Sequence, residues 1–364
     1  MGDLEMDQER ALRDLKALAL SSLLAWRLDC KEIALIKFRE NAVFKVTASE
    51  GRRFALRAHR AGYHSDDELR SELQWMAALQ QSGVAVPIVV PTPAGELFIR
   101  ASLPGTDESV QVDLFEWIDG DQLGTAEGGL GHSAKDVAST YQTIGKIAAR
   151  LHNHGTTWQL PKGFRRHAWD ADGLVGEQPF WGRFWELESL TAEQRRLLLA
   201  AREIVRAELN RMSRSPEFAA SYGLIHADFV PENLLVSDGK VQLLDFDDAG
   251  FGWHLFEIAT ALYFIRSDPN YGVARDALIA GYREHRALSE TVLAKLPVLM
   301  MARGLTYVGW VHTRKHSEAA RQLAAFVTEL ACDLAAQFVG THGQAETHRA
   351  KGAPSTASFA GDRQ

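Results

Sequence analysis

Between residues 226 and 248 the chain reads His226-Ala227-Asp228-Phe229-Val230-Pro231-Glu232-Asn233 and then, twelve residues after Asn233, Asp245-Phe246-Asp247-Asp248. Hairpin-like apolar runs over 224–246 put these polar residues on two consecutive loops. The loops supply three kinds of oxygen. Asp228 is spaced as a carboxylate that accepts a proton from an attacking hydroxyl, while Asn233 and Asp245 are hard donors suited to a divalent cation. Phosphoryl transfer from a nucleotide requires this combination.

Length and composition bound the rest. The chain has 364 residues, 46% hydrophobic and 24% charged, a balance that can bury a large core and divide into two lobes. A net charge of −7 without a long basic run argues against nucleic-acid binding. Cys30 and Cys332 lie far apart without partner spacing, as expected of reduced thiols in the cytoplasm. The first ten residues are acidic, the wrong sign for a secretory leader, and Ala17 to Trp26 is too short to span a bilayer. Met6 breaks the myristoylation pattern, so an amphipathic helix on the small lobe is expected there and no membrane partner.

Strand patterns cover Glu32 to Ile36, Ala42 to Thr47, Arg53 to His59, Val84 to Val90, Glu96 to Ala101 and Val110 to Ile118. Leu69, Leu73, Met76 and Leu79 mark a helix over 66–81. After Gly131 the chain turns helical, over 134–151, about 192–212, 255–265, 272–287, 291–312 and 316–338. This predicts an α+β bilobal arrangement: an N-terminal lobe at 1–118, a hinge at 115–119, a helical lobe at 120–340 and a disordered tail at 341–364.

On these motifs the chain resembles the protein-kinase-like phosphotransferases, the aminoglycoside phosphotransferase and choline kinase group. Residues 224–262 are most similar to the RdoA-type stress-response kinases of that group. The resemblance runs from about Leu35 to about Leu334 and implies a protein-kinase-like fold, with a small antiparallel sheet in the N-lobe and mainly helices in the C-lobe. It also implies ATP and Mg²⁺ as cofactors, Asp228 as catalytic base, Asn233 and Asp245 as metal ligands, and a loop-supporting role for His226. Asp247 is either an accessory group for a second metal or the substrate hydroxyl, or a solvated turn carboxylate. Glu257 stands where related enzymes carry Asp beneath the catalytic loop.

Phe54-Ala55-Leu56-Arg57 matches the kinase Val-Ala-Ile-Lys strand, with Arg in place of Lys. Alternation puts Ala55 under an adenine ring and Arg57 beside its phosphates; the competing reading is a surface arginine on an edge strand. Glu72 is the expected ion-pair partner of Arg57, with Glu68 one turn away as a solvated alternative. The turn Arg39-Glu40-Asn41-Ala42 carries no glycine, so Asn41 would need a left-handed conformation for its backbone to meet phosphates. Backbone groups of Glu116 and Ile118 are the expected adenine contacts. His152 and His154 lack metal-ligand spacing. Trp158, Trp169, Trp181 and Trp185 crowd 158–185, either as local core or as a substrate wall.

The expectation is an ATP-dependent transferase acting on a hydroxyl of a protein or a small metabolite, with a non-catalytic nucleotide-binding module as the alternative. Arg303, His312, Arg314 and Lys315 on a late helix disfavour a polycationic acceptor, though the facing of Glu284, Glu318 and Glu329 is not fixed by the sequence.

Overall fold

The computed structural model describes residues 2–38, 41–103, 105, 108–124, 130, 133–237 and 240–352, with side chains over 12–342. The small lobe is a five-stranded antiparallel sheet in the order β1-β2-β3-β5-β4. Its strands are β1 (Cys30–Phe38), β2 (Ala42–Ala48), β3 (Arg53–Ala58), β4 (Phe98–Ser102) and β5 (Ser109–Glu116). Period-two alternation sorts the two faces: Phe44, Val46, Phe54, Leu56, Val112 and Leu114 bury on one side. Helix α1 (Gly2–Ser22) and the 3₁₀ turn after it cover that side with Leu18, Leu23 and Trp26. The sequence reading of an amphipathic N-terminal helix describes this element.

Helix α2 (Asp66–Gln81) starts at a capping box in which Ser65 and Glu68 satisfy each other's backbone amides. Its Leu69, Leu73, Trp75, Met76 and Leu79 bury in a second core that continues through the large lobe. The hinge therefore separates two sheets but not two cores. Val84 to Val90 is not a strand. Pro87 cannot donate to a ladder, and the segment's strand-like contacts are the bridge Val89–Phe115 with the bonds Val90 to Leu114 and Glu116 to Ile88.

The large lobe adds β6 (Asp121–Gln122), α3 (Ala134–Thr157), β7 (Ala168–Trp169), α4 (Ala171–Val175), α5 (Ala192–Ser213), α6 (Pro216–Ala219) and β8 (Tyr222–Ile225). It continues with β9 (Leu234–Ser237), β10 (Lys240–Leu243), β11 (Gly250–Trp253), α7 (His254–Tyr263) and α8 (Tyr271–Arg283). Helices α9 (Glu290–Leu293), α10 (Leu296–Thr313) and α11 (Glu318–Gly352) complete it. Two small sheets, β10-β9-β6 and β7-β11-β8, flank the loops of interest. The expected single helix over 291–312 divides between Leu293 and Leu296, and α10 carries Pro297 in its first turn. Helix α11 continues past residue 341, where composition suggested a disordered tail; Ala, Gln and Glu there are good helix formers, and 353–364 lie outside the described residues. Two stretches have the length and hydropathy of membrane spans, and Glu290–Thr313 is 78% buried within the protein, as a core helix is.

Helices α3 and α8 cross so closely that a Cβ on Gly145 would stand 2.1 Å from the Leu278 carbonyl, and one on Gly281 2.0 Å from that of Gln142. Gly145→Ala is expected to cost about 1–3 kcal/mol by forcing the backbones apart. Thermal unfolding would register this as a fall of a few degrees, and an unchanged midpoint would show that the crossing gives way freely.

Candidate active site

Strand β8 delivers the chain into 226–233, a loop held from beneath by one residue of α7. The Glu257 carboxylate accepts from the backbone amides of His226 and Ala227, both at 2.7 Å. The Glu-for-Asp exchange thus gives a bidentate seat. His226 Nδ1 accepts from the Asp228 amide (3.1 Å), so its Nε2–H donates to the Leu244 carbonyl (2.8 Å) and ties the two functional loops together. Ala227 (φ +64°) and Asp245 (φ +61°) both lie in the left-handed region. That strain, roughly 1–3 kcal/mol per residue, persists where surrounding bonds over-determine the backbone.

Asp228 Oδ2 accepts from Asn233 Nδ2 at 2.6 Å, and Oδ1 accepts from Arg303 Nη2 at 2.8 Å. Its side chain keeps 19% of its surface open. Burial pushes the Asp228 carboxyl up to about 7, against the Arg303 cation and with help from Asp248 and Asp245. Arg303 is fully buried on α10 among Trp181, Phe256 and Tyr307.

Asp245 faces Lys37 Nζ at 3.8 Å and Arg57 Nη1 at 4.0 Å. Burial would raise its carboxyl, but these two cations outweigh burial and hold it below the ordinary carboxylate range. Asp247 is 5% exposed, which rules out a solvated turn carboxylate. Burial and the Glu72 carboxylate push it well up, and its buried Oδ1 has no hydrogen-bond partner. An anionic Asp245 and the Asn233 amide on the facing loop are oxygen donors of the kind a hard divalent cation takes, while Asp247 Oδ1 lies 3.7 and 3.8 Å from the His59 and His64 rings. Among the described residues no three His, Cys, Asp or Glu side chains could hold a metal by themselves. A hard divalent cation held by one or two side chains completes its shell with phosphate and water.

Arg57 is not an edge residue: β3 is the central strand and Arg57 is 6% exposed. Its Nη2 donates to Glu72 (2.7 Å), and its Nε and Nη2 grip both oxygens of Asp113 on β5 (3.1 and 2.7 Å). Burial raises the Asp113 carboxyl, but Arg57 and His59 more than offset it and hold it at about 2. Glu68 serves the helix cap instead. The sequence reading missed Asp113, which cross-strand pairing Arg57↔Asp113 brings opposite; an Arg in a lysine position was the available signal, since a fork needs a second acceptor. It also missed Arg166, whose buried side chain donates to Glu72 Oε2 (3.4 Å) and to the carbonyls of Glu68, Asp247 and Ala249.

On the nucleotide side, Ala55 shares the cleft face with Arg57, while Phe54 and Leu56 turn to the outer core. The Glu116 amide donates to Ile88 (2.9 Å), so Glu116 can offer a ring its carbonyl, with Ile118 two residues on. Arg53 and Asp119 latch the hinge with two bonds of 2.8 and 2.6 Å. Asn41 is buried and its Oδ1 accepts from the Arg60 amide at 3.1 Å; Arg39 and Glu40, on which its backbone conformation depends, lie outside the described residues.

The segment 158–185 is both core and wall. Trp169, Trp181 and Phe184 are buried, and Trp181 Nε1 donates to Asp248 Oδ1 (3.1 Å), which also accepts from Tyr63 (2.7 Å). His152 stacks on His254 and His154 accepts from Trp75, both packing roles. Of the late-helix cations, Arg303 reaches Asp228 and Arg314 lies among Tyr63, Trp181 and Trp310, while Lys315 pairs with Glu188. Glu284 binds Lys146 and Gln142 on α3, and Glu318 binds Gln322 on α11.

The profile of the phosphotransferase enzyme family (APH) matches residues 33–290. The chain belongs to that family. It is an ATP-dependent phosphotransferase acting on hydroxyl groups. A solved structure described as a microcompartment-associated aminopropanol kinase is 32% identical, with a TM-score of 0.77 over 90% of this chain and 98% of that one. Amicoumacin kinase of Bacillus subtilis is 21% identical over 258 residues, 68% of this chain and 70% of the relative. A homoserine kinase of Rhizobium johnstonii is 25% identical over 246 residues, 65% and 68%.

The Arg57 fork is open to test. Arg57→Lys is expected to retain partial activity, since an ammonium can still pair with Glu72, whereas Arg57→Ala loses most of it. Asp113→Ala, which leaves Arg57 hydrogen-bonded to Glu72 alone and takes the hydrogen-bonded carboxylate from His59, should cost about 3–5 kcal/mol of stability in denaturant unfolding. Equal activity in all three Arg57 proteins would remove this residue from the nucleotide site.

Proposed function

We propose that the chain transfers the γ-phosphoryl group of ATP to a hydroxyl of a small metabolite, with Asp228 as base. The observation that carries this reading is the setting of Asp228, fixed between Asn233 and Arg303 with its carboxyl pushed up to about 7, where proton transfer near neutral pH is efficient. The acceptor oxygen attacks the γ-phosphorus, its proton passes to Asp228, and ADP leaves.

Asn233 and Asp245 would hold Mg²⁺, which when bound neutralises charge on the β- and γ-phosphates; Asp247 would assist it. Arg57 and Lys37 supply fixed positive charge beside Asp245. Ala55, with backbone groups of Glu116 and Ile118, would receive the adenine. A small acceptor is favoured over a protein side chain because Arg303, bonded to Asp228, is itself enclosed by the buried Trp181 and Tyr307 rings. The activities of the relatives, aminopropanol, homoserine and amicoumacin kinases, support the same choice. Two free cysteines and the requirement for ATP agree with a cytoplasmic protein.

Asp228→Asn is expected to lower turnover by roughly two to four orders of magnitude while nucleotide still binds. A loss below tenfold in a labelled-ATP transfer assay would exclude Asp228 as the base. In the wild type, kcat/KM should rise with pH as Asp228 ionises, with its midpoint at or below about 7 because a bound cation favours the carboxylate. Asp245→Ala should sharply weaken Mg²⁺-dependent ATP binding by calorimetry, and unchanged affinity would remove Asp245 from the metal site.

A further inference from the structure

Strand β1 forms one edge of the small-lobe sheet and pairs with β2 as Ile33↔Val46, Ala34↔Lys45 and Leu35↔Phe44, then as Lys37↔Val43. Ile36 is skipped, so the register slips by one residue. Unbroken alternation would put Lys37 on the side of Ile33 and Leu35, where Val46 and Phe44 face the core covered by α1. The slip turns Lys37 to the opposite side, as a bulge beside a site re-aims one side chain. Across the sheet the opposed residues then read Lys37, Val43, Arg57 and Asp113 on β1, β2, β3 and β5. Directly opposed residues share a face, so Lys37 stands over the cleft in one row with Arg57. Both reach Asp245, from 3.8 and 4.0 Å.

The two cations of that row differ in what holds them. Arg57 is buried, and its Nε and Nη2 donate to Glu72 and Asp113, two carboxylates against one charge. The Lys37 ammonium stands beyond hydrogen-bond length from Asp245, and 37% of its side chain is open. Its charge reaches both functional loops, opposing burial at Asp228 as well as at Asp245. Two carboxylates facing the cleft would repel a polyphosphate, and a compact ammonium on a flexible four-carbon stem is suited to offset that repulsion. We propose that Lys37 is the side chain that binds the phosphates of the nucleotide, in the role that the strand pattern of Phe54 to Arg57 assigns to Arg57. This rests on the nucleotide site proposed above and names the cation that fixes the polyphosphate within it.

The test titrates AMP-PNP with Mg²⁺, and separately adenosine, into the whole chain by calorimetry, in the wild type, in Lys37→Met, which keeps the stem and removes the charge, and in Lys37→Arg. In Lys37→Met the Kd of AMP-PNP should rise about tenfold or more, the change expected on losing a charge-assisted bond, while that of adenosine stays within about twofold. Lys37→Arg should recover most of the loss, and melting should show all three proteins folded. An AMP-PNP affinity that is unchanged or tighter in Lys37→Met overturns the proposal. That result is expected if Lys37 only offsets the charge of Asp245, since its removal would then leave a stronger seat for the cation. Should adenosine bind too weakly to measure, the AMP-PNP shift in the folded variants decides alone. A wild type that binds neither compound overturns the nucleotide site itself, and the proposal with it; a wild type that binds both, with no shift in Lys37→Met, overturns the role of Lys37 alone.

Discussion

Four carboxylates, Glu72, Asp113, Asp247 and Glu257, are buried around the junction of the lobes, and the architecture there follows from neutralising or seating them. Unpaired carboxylates in such surroundings would protonate or unfold the region. Arg57 grips Glu72 and Asp113 together, and Glu257 is met by two backbone amides. Arg166 fastens α2 to the loop carrying Asp247 by bonding to Glu72 and to carbonyls on both sides. These contacts fix α2, the central strand β3 and the 245–249 loop relative to one another. The shared core beneath α2 reinforces the same relation.

The supports explain how two strained loops can stand facing each other. Ala227 and Asp245 adopt left-handed backbones that are uncommon outside glycine, and His226 and Glu257 bond the chain on either side of them. Asp228 and Asp245 are thereby held in contrasting settings, one carboxyl raised by burial and the other lowered by Lys37 and Arg57. Such a divergence lets one acid take up a proton while its neighbour remains an anion for a cation.

Much of this was legible in the sequence because it is local. The spacing from His226 to Asp248 is set by one hairpin, the alternation at Phe54 to Arg57 by the pleat, and the extent of α2 by its cap and apolar stripe. The false strand over Val84 to Val90 came from reading apolar content without the missing amide of Pro87. The undivided helix over 291–312 came from reading periodicity across Pro297.

What the sequence by itself determined, then, is the chemistry of the loops: which oxygens are offered, and in what order. Tertiary structure alone decided what surrounds them. Asp113 reaches Arg57 across 56 residues, Arg166 reaches Glu72 across 94, and Arg303 reaches Asp228 across 75, and no periodicity encodes such pairs. Buried charges choose their partners by strand order and helix crossing, which depend on how the whole core packs.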